Sequence, residues 1–200
     1  MDPTAQQIDG LKELINIGVG RAASVLNAML SSHIVLQVPF IKLLQPEDFK
    51  KEIEILGQES LAAVHLGFQG IFSGSTQLIF TMETASKLVT ILVGETDETD
   101  DLDSIQTGTL TEIGNIVLNG VMGSISNMLG FHFNYSVPNY LEGSAENLLK
   151  ANLIVADRTI LLARTRFVVE KLDIYGDIAL FFEMTVFNKL LEAIDVLGNE

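Results

Sequence analysis

Between residues 8 and 30 the apolar positions return with the period of a helix. At about 100° per residue, Leu11, Leu14, Ile15, Ala22, Val25, Leu26 and Met29 gather on one side, opposite a narrow polar stripe of Asp9, Glu13, Asn16, Gly20 and Asn27. An extended run over 33–38 follows and is expected to stop at Pro39. Residues 61–68 and 75–81 are apolar and bounded by glycine, which predicts strands, and 83–93 predicts a helix capped by Gly94. The order then recurs, with a helix over 110–129, strands over 132–137, 151–156, 160–169 and 177–182, and a last helix over 185–197. In the second long helix Gly108, Glu112, Asn115, Asn119 and Ser126 share one side, and Leu110, Ile113, Val117, Val121, Ile125 and Met128 the other. The stretch 41–58, with Pro46 among charges, has the least legible pattern.

The recurrence is a duplication. A shift of 99 positions places Glu13 on Glu112, Asn16 on Asn115, Met29 on Met128, His33 on His132, Val38 on Val137 and Pro39 on Pro138. A shift of 102 pairs Gly74 with Gly176, Leu78 with Leu180, Phe80 with Phe182 and Lys87 with Lys189. Two long copies do not suit a stacked array, which uses shorter units and at least three of them. The expectation is one domain over 1–200 made of two repeats, about 8–94 and 107–198, joined by an acidic linker at 95–106. Long helices segregated from hairpin-connected strands make the class α+β, with a pseudo-two-fold arrangement of two long surface helices on a central β-sheet.

Composition narrows the function. With 48% hydrophobic and 19% charged residues the chain can bury a substantial core. A formal charge of −14, from 26 acidic against 12 basic residues, argues against nucleic acid as a partner, since a phosphate backbone requires a basic face. Cysteine is absent, which removes disulfides, thiolate metal sites and a cysteine nucleophile, and fits a reducing compartment. The N-terminus lacks a signal-peptide pattern, and no apolar stretch approaches the roughly 20 residues of a membrane span. The expected location is cytoplasmic, without membrane insertion.

A polar stripe on a surface helix ordinarily faces solvent and does nothing more. Asparagine, however, is a poor helix-interior residue because its amide competes for backbone hydrogen bonds. Placing one mid-helix twice, at the same offset from a glutamate, has a cost that simple packing does not explain. Gly18, Gly20, Gly114, Gly120 and Gly123 also thin the two helices and allow close approach. A site present twice follows as a hypothesis.

The spacing Asp9-x3-Glu13-x2-Asn16-x22-Pro39 resembles the signature of the CheC-type chemotaxis phosphatases (the CheC, CheX and FliY family), and Glu112-x2-Asn115-x22-Pro138 repeats it. The second copy has Gly108 where the pattern carries Asp or Ser. The resemblance implies hydrolysis of the aspartyl phosphate on a CheY-like response-regulator receiver in chemotaxis. It implies Asn16 and Asn115 as the residues that orient the attacking water, and Glu13 and Glu112 as docking partners of the receiver's lysine. Asp9 is implied to position the complex or to stabilise the first turn of its helix. No cofactor or metal of the protein's own is implied, because Mg²⁺ belongs to the phosphorylated receiver. The same resemblance implies CheD, a receptor deamidase, as a further partner, and an adaptor role as the alternative to catalysis. The chain ends at Glu200, directly after its last expected helix, and so is expected to be free-standing rather than fused to a flagellar-switch domain.

Other signals carry less. Gly18-x-Gly20-x2-Ala23 has dinucleotide spacing but lies inside a helical period instead of at a strand-to-helix turn. The run 97–103 lacks the glycine and terminal glutamate of a calcium loop. His33, His65 and His132 are too far apart for a helical metal pair. Ser73-Gly74-Ser75 has no neighbouring base. Met29, Met82, Met122, Met128 and Met184 are expected as core filler.

Overall fold

The computed structural model describes residues 3–30, 33–54, 60–70, 73–93, 104–151, 158–169 and 172–197. Thr4 opens the first helix: its hydroxyl accepts from the Gln7 N–H (3.2 Å), while the Thr4 N–H donates to Gln7 Oε1 (2.9 Å). This reciprocal cap starts α1 (Ala5–Leu30). In chain order there follow β1 (Ile34–Leu44), α2 (Pro46–Glu54), β2 (Leu61–Gln69), β3 (Gly74–Thr81), α3 (Met82–Val93) and α4 (Ser104–Leu129). The remainder is β4 (Asn134–Tyr135), β5 (Asn139–Gly143), α5 (Ala145–Lys150), β6 (Arg158–Val169), β7 (Leu172–Glu183) and α6 (Met184–Leu197).

The strands form one antiparallel sheet in the order β1-β6-β7-β3-β2-β4, with β5 also paired to β2. Exchanging β1 with β4 and β5 together, β2 with β6 and β3 with β7 leaves that order unchanged apart from its direction. The pseudo-two-fold axis therefore passes between β3 and β7. Both sheet faces are buried, because strand side chains alternate between two apolar clusters. Ala62, Val64, Leu66, Ile178, Leu180 and Phe182 face the layer of α1, α4 and α6. Leu61, Ala63, Ala179 and Phe181 face the opposite layer, where α2 and α5 contribute Phe49, Ile53 and Leu148. Continuous apolar strands follow from this two-sided burial.

The long helices pack antiparallel through their backbones. A Cβ on Gly18 would stand 2.6 Å from Val121 Cα, and one on Gly120 would stand 2.6 Å from the Gly18 carbonyl oxygen. A Cβ on Gly114 would strike Val64 of β2 at 2.5 Å, so α4 also lies tightly on the sheet. Among the described residues no helix is long and apolar enough to cross a membrane.

Several boundaries differ from the sequence pattern, each for a local reason. α4 begins at Ser104 instead of near Leu110, so 104–106 are helix and not linker. Its first turns are Ser-Ile-Gln-Thr-Gly-Thr, poor formers whose threonine hydroxyls donate back to main-chain carbonyls, Thr109 to Ile105 (2.9 Å) and Thr111 to Thr107 (2.7 Å). β1 continues through Pro39 with a register shift between Gln37 and Phe40, which an edge strand tolerates because its outer side has no strand ladder to interrupt. The expected strand 132–137 shortens to β4, and β5 follows Pro138. α2 fills the illegible stretch, with Pro46 at its first position and Phe49 and Ile53 buried one turn apart. Val25 and Met29, which the helical period puts on the apolar face of α1, are exposed, so Met29 is not core filler. The Gly94 cap, most of the expected linker and the strand 151–156, apart from Ala151, lie outside the described residues.

Candidate functional site

The two motifs lie on the outer layer, one on each long helix. Asp9 and Glu13 are exposed on α1, and Asn16, one turn further on, is half-buried. Glu112 is exposed on α4, with Asn115 half-buried one turn after it. Because α1 and α4 run antiparallel, the structure does not bring the two pairs together. They flank opposite ends of the crossing at Gly18 and Gly120. Asp9 sits in the second turn of α1 rather than the first, so it does not complement the orphan amides of the helix start. Gly108 is exposed, and a Cβ added there would meet nothing within 4 Å.

The asparagines are held differently. The Val38 N–H donates to Asn16 Oδ1 (2.8 Å), and Asn16 Nδ2 donates to the carbonyls of Val38 (3.2 Å) and Lys12 (3.0 Å). Asn27 repeats the arrangement three turns on: its Oδ1 accepts from the Ile34 N–H (2.5 Å) and its Nδ2 donates to the Ile34 carbonyl (3.1 Å). β1 is the sheet's edge strand, and alternate residues present their backbone groups outward, away from β6. The two amides act as substitute peptide groups and close that edge against α1. Half of the polar stripe is thus explained by the neighbouring strand.

Asn115 has no such strand. Val137 and Pro138 stand where Val38 and Pro39 stand in the first half, yet Val137 is 85% exposed and Val38 2%. The chain there turns to β2 instead: the Ser136 N–H donates to the Gly67 carbonyl, and the Ser136 hydroxyl accepts from the Gly67 N–H, both at 2.9 Å. Asn119, one turn after Asn115, donates through Nδ2 to the Asn115 side-chain oxygen (2.6 Å) and main-chain oxygen (2.8 Å). Among the described residues nothing accepts from Asn115 Nδ2, so both of its N–H bonds are available. Asn119 shares the stripe in sequence, but only its contact with Asn115 gives it a role.

Beside Glu112 lies a groove of about 160 Å³ between the helices, lined by Leu26, Met29, Thr109, Glu112, Ile113 and Ile116. Met29 and Ile105, the latter on the same helical face, are 55% and 64% exposed. An anionic side chain next to an apolar groove and a free amide can engage a cation, an apolar side chain and a water at once. The other polar features are structural. Asp177, almost fully buried, receives a bidentate pair from Arg164 at 3.0 and 3.2 Å, and burial still pushes its carboxyl pKa up. His65 lies 3.5 Å from Gln77 on the face that carries α2 and α5, with its pKa lowered by burial.

Comparison with known proteins bears on the fold and on family similarity. A family model, Chemotaxis phosphatase CheX, matches residues 62–156, a stretch that contains Glu112, Asn115 and Asn119 but not the α1 pair. The CheY-P phosphatase CheC of Bacillus subtilis is 30% identical over 138 residues, which are 66% of this chain and 65% of that protein. The chain therefore spans slightly less than two thirds of its curated relative. Among solved structures, Thermotoga maritima FliY superposes with a TM-score of 0.78 at 18% identity, over 98% of each chain. The FliM middle domain from H. pylori superposes with a TM-score of 0.69 at 10% identity, over 95% of this chain and 99% of that one. A duplicated sheet carrying two antiparallel motif helices has the fold of these solved structures, and the family match over the second motif helix and the sequence relative make the chain similar to the CheC and CheX chemotaxis phosphatases.

Proposed function

We propose that this protein hydrolyses the aspartyl phosphate of a CheY-like receiver domain in chemotaxis signalling, and that the α4 pair does the work. The observation that carries the reading is the half-buried Asn115 amide, whose Nδ2 meets no acceptor among the described residues, one turn from the exposed Glu112 that lines the apolar groove. Glu112 pairs with the receiver's active-site lysine and fixes the docking register. The groove seats an apolar side chain of the receiver between α1 and α4. Asn115 then points at the phosphoryl group and holds a water in line with the phosphorus–carboxylate bond.

The receiver supplies Mg²⁺ and the lysine that neutralise phosphoryl charge, so this chain contributes position rather than an electrophile. Water oxygen forms the new bond to phosphorus, and the bond to the aspartyl oxygen breaks. The carboxylate is regenerated, inorganic phosphate leaves, and the water's proton departs with the phosphate or solvent.

The test is release of phosphate from a phosphorylated receiver. Wild type is expected to accelerate release, Asn115→Ala to slow it about 100-fold, and Glu112→Ala to raise KM more than it lowers kcat. A wild type that leaves the receiver's own rate unchanged sinks the reading, and capture of CheD by the same protein would then support an adaptor.

A further inference from the structure

Resting on that proposed reaction, a second asparagine acquires a task. We infer that Asn119 is a positioning residue for the α4 site, one that replaces the strand contact used by Asn16 and so leaves the Asn115 amide free to hold water. In the first half the position equivalent to Asn119 is Gly20, where an added Cβ would meet nothing within 4 Å. There the asparagine is oriented by Val38 with both ends of its amide occupied: Oδ1 accepts from the Val38 N–H, and Nδ2 donates to the carbonyls of Val38 and Lys12. In the second half, Asn119 Nδ2 grips only the oxygens of Asn115, at 2.6 and 2.8 Å. The Asn115 side chain is thereby held from its acceptor end, while its Nδ2 meets no acceptor among the described residues.

The physical difference is which end of the amide is used. A donated bond from Asn119 to Asn115 Oδ1 also polarises the Asn115 N–H groups, making them better donors to a lone pair of the attacking water. The geometry is built before the receiver arrives, so the ordering cost is not met at the moment of reaction. The α1 pair, by contrast, must break both bonds donated by Asn16 Nδ2 before its amide can serve, which assigns Asn16 to holding the sheet edge.

Steady-state hydrolysis by the full chain, with a receiver phosphorylated by a small-molecule phosphodonor, separates the possibilities. Asn119→Ala and the near-isosteric Asn119→Asp both remove the donor, and each is expected to lower kcat about 10-fold or more with KM within about 2-fold. Thermal melting of each variant identifies any that is misfolded. The Ala and Asp variants differ in charge and shape, so a shared kcat loss in folded protein reads the missing donor. Asn16→Ala is expected to cost less kcat than either, while lowering the melting temperature. Full kcat in Asn119→Ala, or a KM increase at unchanged kcat, overturns the positioning role while the proposed reaction stands. Equal kcat losses in Asn16→Ala and Asn115→Ala overturn the division between the helices. A wild type without activity overturns both readings together.

Discussion

The two halves of this protein place the same Glu-x2-Asn motif on equivalent helices and surround it with different chemistry. In the first half the edge strand β1 lies along α1, and Asn16 and Asn27 bind its outward backbone groups. In the second half the corresponding segment breaks at Ser136–Pro138, Val137 swings into solvent and Ser126 stands where Asn27 did. One amide became a strand, in hydrogen-bonding terms, and the other remained an amide. A motif match by itself therefore does not say what a polar side chain is free to do, because its availability depends on what else has been left unsatisfied nearby.

The halves differ in charge as well, and there the largest effect is expected. Arg164 and Asp177 face each other across the β6–β7 hairpin, whereas Gly67 and Ser75 occupy the matching pair in the β2–β3 hairpin. Arg164→Ala leaves a buried carboxylate without its cation and is expected to cost about 3 kcal/mol or more at neutral pH. Burial already raises the Asp177 pKa, so the folded state holds that proton more tightly than the unfolded chain does. Stability from this group consequently falls as pH rises from the ordinary carboxylate range through the raised value. Without Arg164 the pKa rises further, so denaturation at pH 7 and pH 5 should show the deficit shrinking in acid. An equal deficit at both pH values would mean that packing, not charge, explains the loss.

The clamp is next in size. Asn16→Ala removes the partners of both Val38 backbone groups and is expected to cost about 1 to 3 kcal/mol. Asn115→Ala, which orphans no strand and introduces a better helix former, should be near neutral or slightly stabilising in the same assay. Similar losses in the two variants would erase the structural contrast between the helices.

A smaller pair of effects comes from glycines two positions apart on α1. Gly18→Ala drives a Cβ to 2.6 Å from Val121 Cα and is expected to destabilise by about 1 to 2 kcal/mol as the helices part. Gly20→Ala meets nothing and should stabilise by about 0.5 to 1 kcal/mol through helix propensity. Thermal melting of both checks the sign. Stabilisation by Gly18→Ala would show that the helix crossing is looser than the backbone contact indicates.

Much of this is legible along the chain. The offset that overlays Glu13 on Glu112 and Phe80 on Phe182 points to a duplicated α+β architecture, and the 3.6-residue period locates the stripes, because helix geometry and side-chain direction are local properties. Short elements are harder to see. α2 rests on two buried residues, Phe49 and Ile53, and the start of α4 is built from residues with weak helix preference. In both, tertiary burial overrides propensity, which no window of sequence reports. Met29 departs from its pattern for a related reason: its angle is apolar, but it lines the groove between the helices and stays exposed.

What the sequence determined by itself was therefore the inventory: a duplicated chain, two helices with a polar stripe, a glutamate and an asparagine at a fixed interval on each, and a family resemblance carried by that interval. What only the tertiary structure decided was which amide is occupied. Asn16 and Asn115 have the same residue type, offset and helical face, and differ because a strand edge with unpaired backbone groups reaches one and not the other. Hydrogen-bond partners separated by 22 residues, as Asn16 and Val38 are, exist only after the sheet has set its edge.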